Sequence, residues 1–457
     1  MIQESGRPVE SNPETIEASM PQDIADEYEA DGGKQAWIFL AAASVMLQLT
    51  WGFTISFGAF REYYFNNSDY AGDQTVAVIG VVSTGVIQIM CPFLVHLLGG
   101  RARLRRVLLY GGTAIVFAAS LGAAFSYTPT QLIMTQGVLY GVGSGLIFAP
   151  NMSLMDEWFI KRRSFAYGIY FASSSIAAAI IPPVLRVLLQ NYSSKATLVG
   201  WSIFVGVVLN IALLGLRPRL PKATTEMQEK INPLSGNVSY RFLKSPLFWL
   251  MMFSNVLQAS SQYLPSVYIP SYATEVARTS PQAAAALLTI YNIASAICQP
   301  FIGILADRRG VLWPLLLCTL IPAVAVLCVW GFAKSYGLMA LTCILFGGLS
   351  GGYVVLRNRF ATAVVGSNEY PNEELVVSAM IMFIRGCATI ASGFVGVAVS
   401  NAGATIPLDE KSYGASTWVP LLLTVGILSG ISSIGGLGFI GKRRHNGLYV
   451  SGNEKQR

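Results

Sequence analysis

The chain has 457 residues, of which 53% are apolar and only 12% charged, about half the charged share of a soluble domain. These proportions exclude a soluble enzyme, a disordered chain and a collagen-like fibre, and leave a polytopic membrane protein with room for about a dozen crossings of roughly 20 residues. The net charge of +7 is unevenly spread: residues 1–35 hold nine acids against Arg7 and Lys34, so the remainder carries +14. Those cations sit in short turns between apolar runs, a pattern of membrane topology rather than of nucleic-acid binding.

Residues 1–35 are polar and acidic and are expected to stay disordered on the cytoplasmic side. Twelve apolar runs follow, at roughly 36–60, 75–98, 107–126, 131–154, 164–190, 198–216, 246–270, 282–305, 311–332, 336–356, 374–400 and 418–440. Each is long enough to cross a bilayer, and in lipid each must be helical so that every backbone polar group finds an internal partner. The longest connection, 217–245, is rich in Lys, Pro and Glu and divides the runs six and six. The predicted fold is therefore all-α, with an N-terminal six-helix bundle over 36–216, a cytoplasmic linker over 217–245, a C-terminal six-helix bundle over 246–440 and a cytoplasmic tail over 441–457.

With the N-terminus inside, inward segments hold 24 of the 31 basic residues and outward loops five, while Arg186 and Arg385 lie within spans. That split predicts cytoplasmic termini, and the plasma membrane is the expected location. The halves echo each other. Gly141, Gly143 and Gly145 in span 4 recur about 206 residues later as Gly347, Gly348, Gly351 and Gly352, and the basic turn at Arg101 recurs at Arg308 after 207. A constant offset points to two parallel six-helix repeats, a layout common among secondary transporters. The six cysteines all fall in apolar stretches without a CxxC pair, and there are only two histidines; neither a metal nor any other cofactor is expected.

Span 8 ends in Gly303-Ile-Leu-Ala-Asp307-Arg308-Arg309-Gly310. Gly303 admits a neighbouring helix, and Asp307 can hold a helix N-terminus or a basic partner in one conformation and release it in another. The matching turn after span 2, Gly99-Gly100-Arg101, has no aspartate. Pro182-Pro183 removes backbone donors from span 5 and is expected to break or kink it. Two further blocks stand out. The first is Asp31-Gly32-Gly33-x-x-Ala36-Trp37 with Thr50-Trp51-Gly52. The second is Gln136-Gly137-x3-Gly141-x-Gly143-x-Gly145-x-x-Phe148-x-Pro150, continued by Trp158-Phe159-x-Lys161-Arg162-Arg163.

In these blocks and in the span 8 motif the chain resembles the fungal branch of the monocarboxylate porter family, within the major facilitator superfamily. The resemblance implies twelve helices in two pseudo-repeats and alternating-access transport of a small organic solute, in fungal members often as export of secondary metabolites. It places Gly303, Asp307, Arg308 and Gly310, with Arg162 and Arg163, at the gate. The animal branch carries a lysine in span 1 and an Asp/Arg pair in span 8. By position these fall at about Ile55 and at about Ser295 and Gln299, so lactate-type proton symport is not expected.

An ionisable residue inside a span is a functional hypothesis by default. Arg385, about a dozen residues into span 11, is expected to face a central cavity and pair with an acidic substrate; its alternative is a guanidinium satisfied by helix carbonyls or snorkelling to the cytoplasmic face. Asn292 and Gln299 share one face of span 8, Asn255, Gln258 and Gln262 share one face of span 7, and Trp51 lies in span 1. Asn292, Gln258, Gln299 and Trp51 complete the expected substrate site. No acid lies mid-span, so if protons are coupled, Glu157 or Asp307 would carry them. The expected protein is a monomeric multi-pass carrier in contact with lipid, not an enzyme, and it exports an acidic or amphipathic metabolite. Proton-coupled uptake of a monocarboxylate and a non-transporting sensor are the alternatives.

Overall fold

The computed structural model describes residues 31–57, 60, 63–64, 78–98, 102–219, 241–366, 371–407, 409 and 412–439. The acidic segment 1–30, Glu62, the turn at Arg101, most of the connection 217–245 and the tail 441–457 lie outside the described residues. The described residues form twelve long helices. They are α1 (Gly33–Ile55), α2 (Ile79–Leu98), α3 (Arg103–Ala124), α4 (Pro129–Trp158), α5 (Arg163–Asn191) and α6 (Ser194–Gly215) in the first half. The second half has α7 (Pro246–Glu275), α8 (Pro281–Arg309), α9 (Leu312–Phe332), α10 (Tyr336–Val365), α11 (Glu373–Gly403) and α12 (Val419–Phe439). Eleven are long and apolar enough to cross a membrane by length and composition. The exception, α7, is 30 residues long and carries Asn255, Gln258 and Gln262 on one face, which lowers its hydropathy below that of its neighbours.

Local chemistry explains where the helices begin. Thr128, Ser193, Ser280 and Ser335 each accept a hydrogen bond from a first-turn backbone N–H of α4, α6, α8 and α10, satisfying donors that have no partner inside the helix. Thr128 and Ser335 lie 207 residues apart, so the offset seen in the glycines recurs in the caps. Each of these helices also contains a π-turn, Ile133–Leu139 in α4 and Cys343–Gly347 in α10. A third π-turn, Gln48–Gly52, carries Trp51 in α1.

Two expectations change. Span 10 does not stop at residue 356: α10 continues to Val365 and takes Arg357 and Arg359 into the bundle. Their charge reads as a loop signal, but partners in other helices hold them. The Pro182-Pro183 pair does not break α5, which runs unbroken from Arg163 to Asn191; flanking helices support the turn that loses its donors.

The halves meet where α5 packs along α8 and α2 along α11. At the end bearing the α4–α5 and α8–α9 turns, here called the basic end, the first-half core also takes in Val355, Ala379 and Met382 of the second half. Asp31 beside Trp158 and Phe439 beside Phe360 put both described chain ends there. The two halves are therefore closed on each other at the basic end.

Candidate functional site

The site has two levels, a polar centre and a gate at the basic end. At the centre, Arg385 of α11 is only 3% exposed. Its guanidinium donates to Asn255 Oδ1 at 3.2 Å and to Gln258 Oε1 at 2.8 Å, and it also donates to Gln262 Oε1. It lies 5.9 Å from the Tyr353 ring centroid, in cation–π range. The three amides follow the i, i+3, i+7 spacing of one α7 face, which is why a single cation collects them. Their orientation is fixed from behind. Asn255 Nδ2 donates to the Ile381 carbonyl at 2.9 Å, and Gln258 Nε2 to the Ser350 carbonyl at 2.9 Å. Each amide thus turns its oxygen toward Arg385. No carboxylate pairs with Arg385 among the described residues. Neutral dipoles solvate this cation without neutralising it, an arrangement suited to an anion that comes and goes.

Of the residues expected at the substrate site, the structure brings Gln258 to Arg385 and adds Asn255, Gln262 and Tyr353. Gln299 and Asn292 lie elsewhere, along the α5–α8 seam. Gln299 Nε2 donates to Ser295 Oγ at 2.9 Å and to Ser175 Oγ at 3.2 Å. Asn292 Nδ2 donates to the Leu288 carbonyl of its own helix at 2.8 Å and reaches the Ala178 carbonyl of α5 at 3.5 Å. Both serve helix contacts here. Trp51 packs edge-on against Phe148 and Phe171, at 5.0 and 5.7 Å between centroids, and its buried indole N–H finds no acceptor among the described residues.

At the gate, the Asp307 carboxylate accepts from the backbone N–H groups of Ser164 and Phe165, at 3.2 and 2.9 Å. It therefore caps the N-terminus of α5 from the opposite half. The same carboxylate pairs with Arg359 Nη2 at 2.7 Å. Both kinds of partner expected for Asp307, a helix N-terminus and a cation, are present together. Gly303 makes the approach possible: a Cβ there would lie 2.3 Å from the Ser164 carbonyl oxygen, closer than any side chain permits. Gly310 ends α8 at φ +73, a backbone conformation that favours glycine. Arg163 ties a second seam, to Asp156 of its own half at 2.7 Å and to Glu374 of the other at 3.1 Å. Arg105 pairs with Glu157 within the first half. Arg162 and Arg308 expose their side chains, whereas Arg163 and Arg359 engage carboxylates here. Arg162 participates through its backbone. The Asp31 carboxylate accepts from the N–H groups of Ile160, Lys161 and Arg162 at 3.0, 2.8 and 2.7 Å, which joins the two signature blocks of the sequence in one turn.

Sequence reasoning missed Arg357 and Arg359. Arg357, 2% exposed, is at least as deeply buried as Arg385. Its signal was a charged Arg-Asn-Arg triplet directly after an apolar run, which reads equally well as a helix end.

Two closed bundles, a repeated offset and an interlocked gate agree with the comparison to known sequences. The family model of the Major Facilitator Superfamily matches residues 18–382. The chain belongs to that superfamily. Superfamily relatives include the agnestins efflux protein AgnL12 of Paecilomyces divaricatus, 24% identical over 83% of this chain and 88% of the relative. The fujikurins efflux protein of Gibberella fujikuroi is 26% identical over 79% and 77%, and the aspyridones efflux protein apdF of Emericella nidulans 27% identical over 81% and 73%. The chain is thus a major facilitator transporter, an integral multi-pass membrane protein that moves small solutes.

Proposed function

We propose that this transporter exports an acidic, amphipathic secondary metabolite across the plasma membrane, with the basic end and both termini facing the cytoplasm. The observation that carries the reading is Arg385, a guanidinium buried among helices and, among the described residues, held by amide oxygens and an aromatic ring. A charge at such depth costs several kcal/mol, and a carboxylate or enolate that takes two parallel hydrogen bonds from it recovers that cost. The efflux names of the relatives support export as the direction of transport.

In this reading residues 36–216 and 246–440 rock as two units around Arg385. The contacts of Asp307 and of Arg163 with Glu374 hold the cytoplasmic end shut in the conformation described. The acids that could couple protons, Asp156, Glu157, Asp307 and Glu374, all lie at the gate. The monocarboxylate porter branch is the finer family assignment, although Ser295 and Gln299 stand where its animal members carry an Asp/Arg pair. The test is to delete the gene and profile metabolites inside and outside the cells. An acidic amphipathic compound should accumulate inside and fall outside; unchanged pools on both sides refute the reading.

A further inference from the structure

We infer that Arg357 is a second anion-binding position, the first that an acidic solute meets from the cytoplasm on its way to Arg385. The inference rests on the export reading above and adds the route by which the solute is loaded. Arg357 belongs to α10, in the second half, yet most of what surrounds its guanidinium belongs to the first. Nη1 points at Met152 Sδ at 3.3 Å, and the guanidinium lies 5.0 Å from the Tyr167 ring centroid and 5.9 Å from that of Phe171. Within its own half, among the described residues, it has Asn358 Oδ1, at 3.2 Å from Nε. Nη2 is buried without an acceptor, and no carboxylate pairs with Arg357 among the described residues. A thioether is a weak acceptor. The cation is held in an aromatic cage and is only partly satisfied.

That cage is split between two bodies that part during transport. When the halves separate at the cytoplasmic end, Arg357 moves with α10 and leaves Met152, Tyr167 and Phe171 behind. Its Nη2 and Nη1 edge then faces the opened route with no protein acceptor. Its place on α10 supports this role. Arg359, two residues toward the cytoplasm, is the gate cation on Asp307. Tyr353, one turn toward the centre, lies under Arg385. Arg359, Arg357 and the Tyr353 ring that faces Arg385 therefore follow one another along α10, with roughly one turn between Arg357 and Tyr353. The solute class follows from the cage: a planar aromatic or enolic carboxylate replaces the rings and the thioether against the guanidinium plane while its oxygens take the free donors.

The test uses the full-length purified protein in lipid nanodiscs and needs no knowledge of the natural solute. Phenylglyoxal modification of each arginine is followed by mass spectrometry, with salicylate as the anionic probe and salicylamide as its neutral counterpart. In the wild type Arg357 should react slowly. In Asp307→Asn, with the gate weakened, it should react about tenfold faster or more, and excess salicylate but not salicylamide should protect it. Glu374→Gln, which loosens the other seam, is the second gate variant should the first be misfolded by size-exclusion chromatography. Arg357 remaining unreactive in both variants while Arg359 reacts would remove it from the route. Equal protection by both probes, or by neither, would make it a latch between the halves and not an anion position. No transport is measured here, so a failed metabolite profile overturns the export reading without touching this result.

Discussion

Substituting Asp307 by asparagine tests the gate most directly. The carboxylate accepts two backbone N–H groups of α5 at 3.2 and 2.9 Å and pairs with Arg359 at 2.7 Å. Charge-assisted bonds contribute about 1.5–3 kcal/mol each when buried. The pair with Arg359 lies within the second half, so it does not separate when the halves part and is left out of the sum. Asparagine keeps one acceptor oxygen but loses the charge facing both the cation and the helix N-terminus. The closed state should therefore lose about 2 kcal/mol, a shift of about thirtyfold in the ratio of closed to open. The assay is a pulsed electron paramagnetic resonance distance between labels at Ile160→Cys and Arg309→Cys, one on each half at the basic end, in a background lacking the six native cysteines. The short-distance population should fall and a longer one appear, while turnover drops more than affinity. An unchanged distance distribution in folded protein, or a change in affinity alone, would refute the reasoning.

Three further outcomes are expected. Arg385→Met should fold and reach the membrane but transport an anionic substrate about a hundredfold less well, because two charge-assisted bonds to the anion are lost; uptake into inside-out vesicles checks this, and normal rates would remove Arg385 from the site. Gln299→Leu should leave transport within about threefold of wild type, since Ser175 and Ser295 can bond each other across the seam at 3.3 Å; a large rise in KM would place Gln299 back in the substrate site. Asp31→Ala removes the acceptor of three N–H groups and should cost about 1–2 kcal/mol of stability. Thermal unfolding in detergent reads it, with Arg162→Ala, whose side chain is exposed, as the comparison; equal midpoints for the two variants would show that the cap contributes nothing.

Much of the molecule was legible in its sequence because it rests on local properties. Hydropathy and length set the helices, since a bilayer leaves the backbone no partner but itself. The offset of about 207 residues announced the duplication, and Gly303 with Asp307 announced the close approach of α8 to α5 and the capping of α5, because close approach and helix capping each demand a particular residue type. The α7 stripe of Asn255, Gln258 and Gln262 was visible as one helical face. What that face holds was not: Arg385 is 123 residues beyond Gln262, and only the packing of α7 on α11 joins them. The same limit hid Arg357 and Arg359, whose charge signals water in a linear reading and is instead enclosed by residues of α4, α5 and α8. It also separated Gln299 and Asn292 from the centre, because a polar face on a membrane helix meets a cavity or a neighbouring helix with equal chemical sense. Propensity and periodicity act within one helix. Whether a buried polar group serves a ligand or a neighbour depends on which helices stand beside it, and tertiary structure alone decides that.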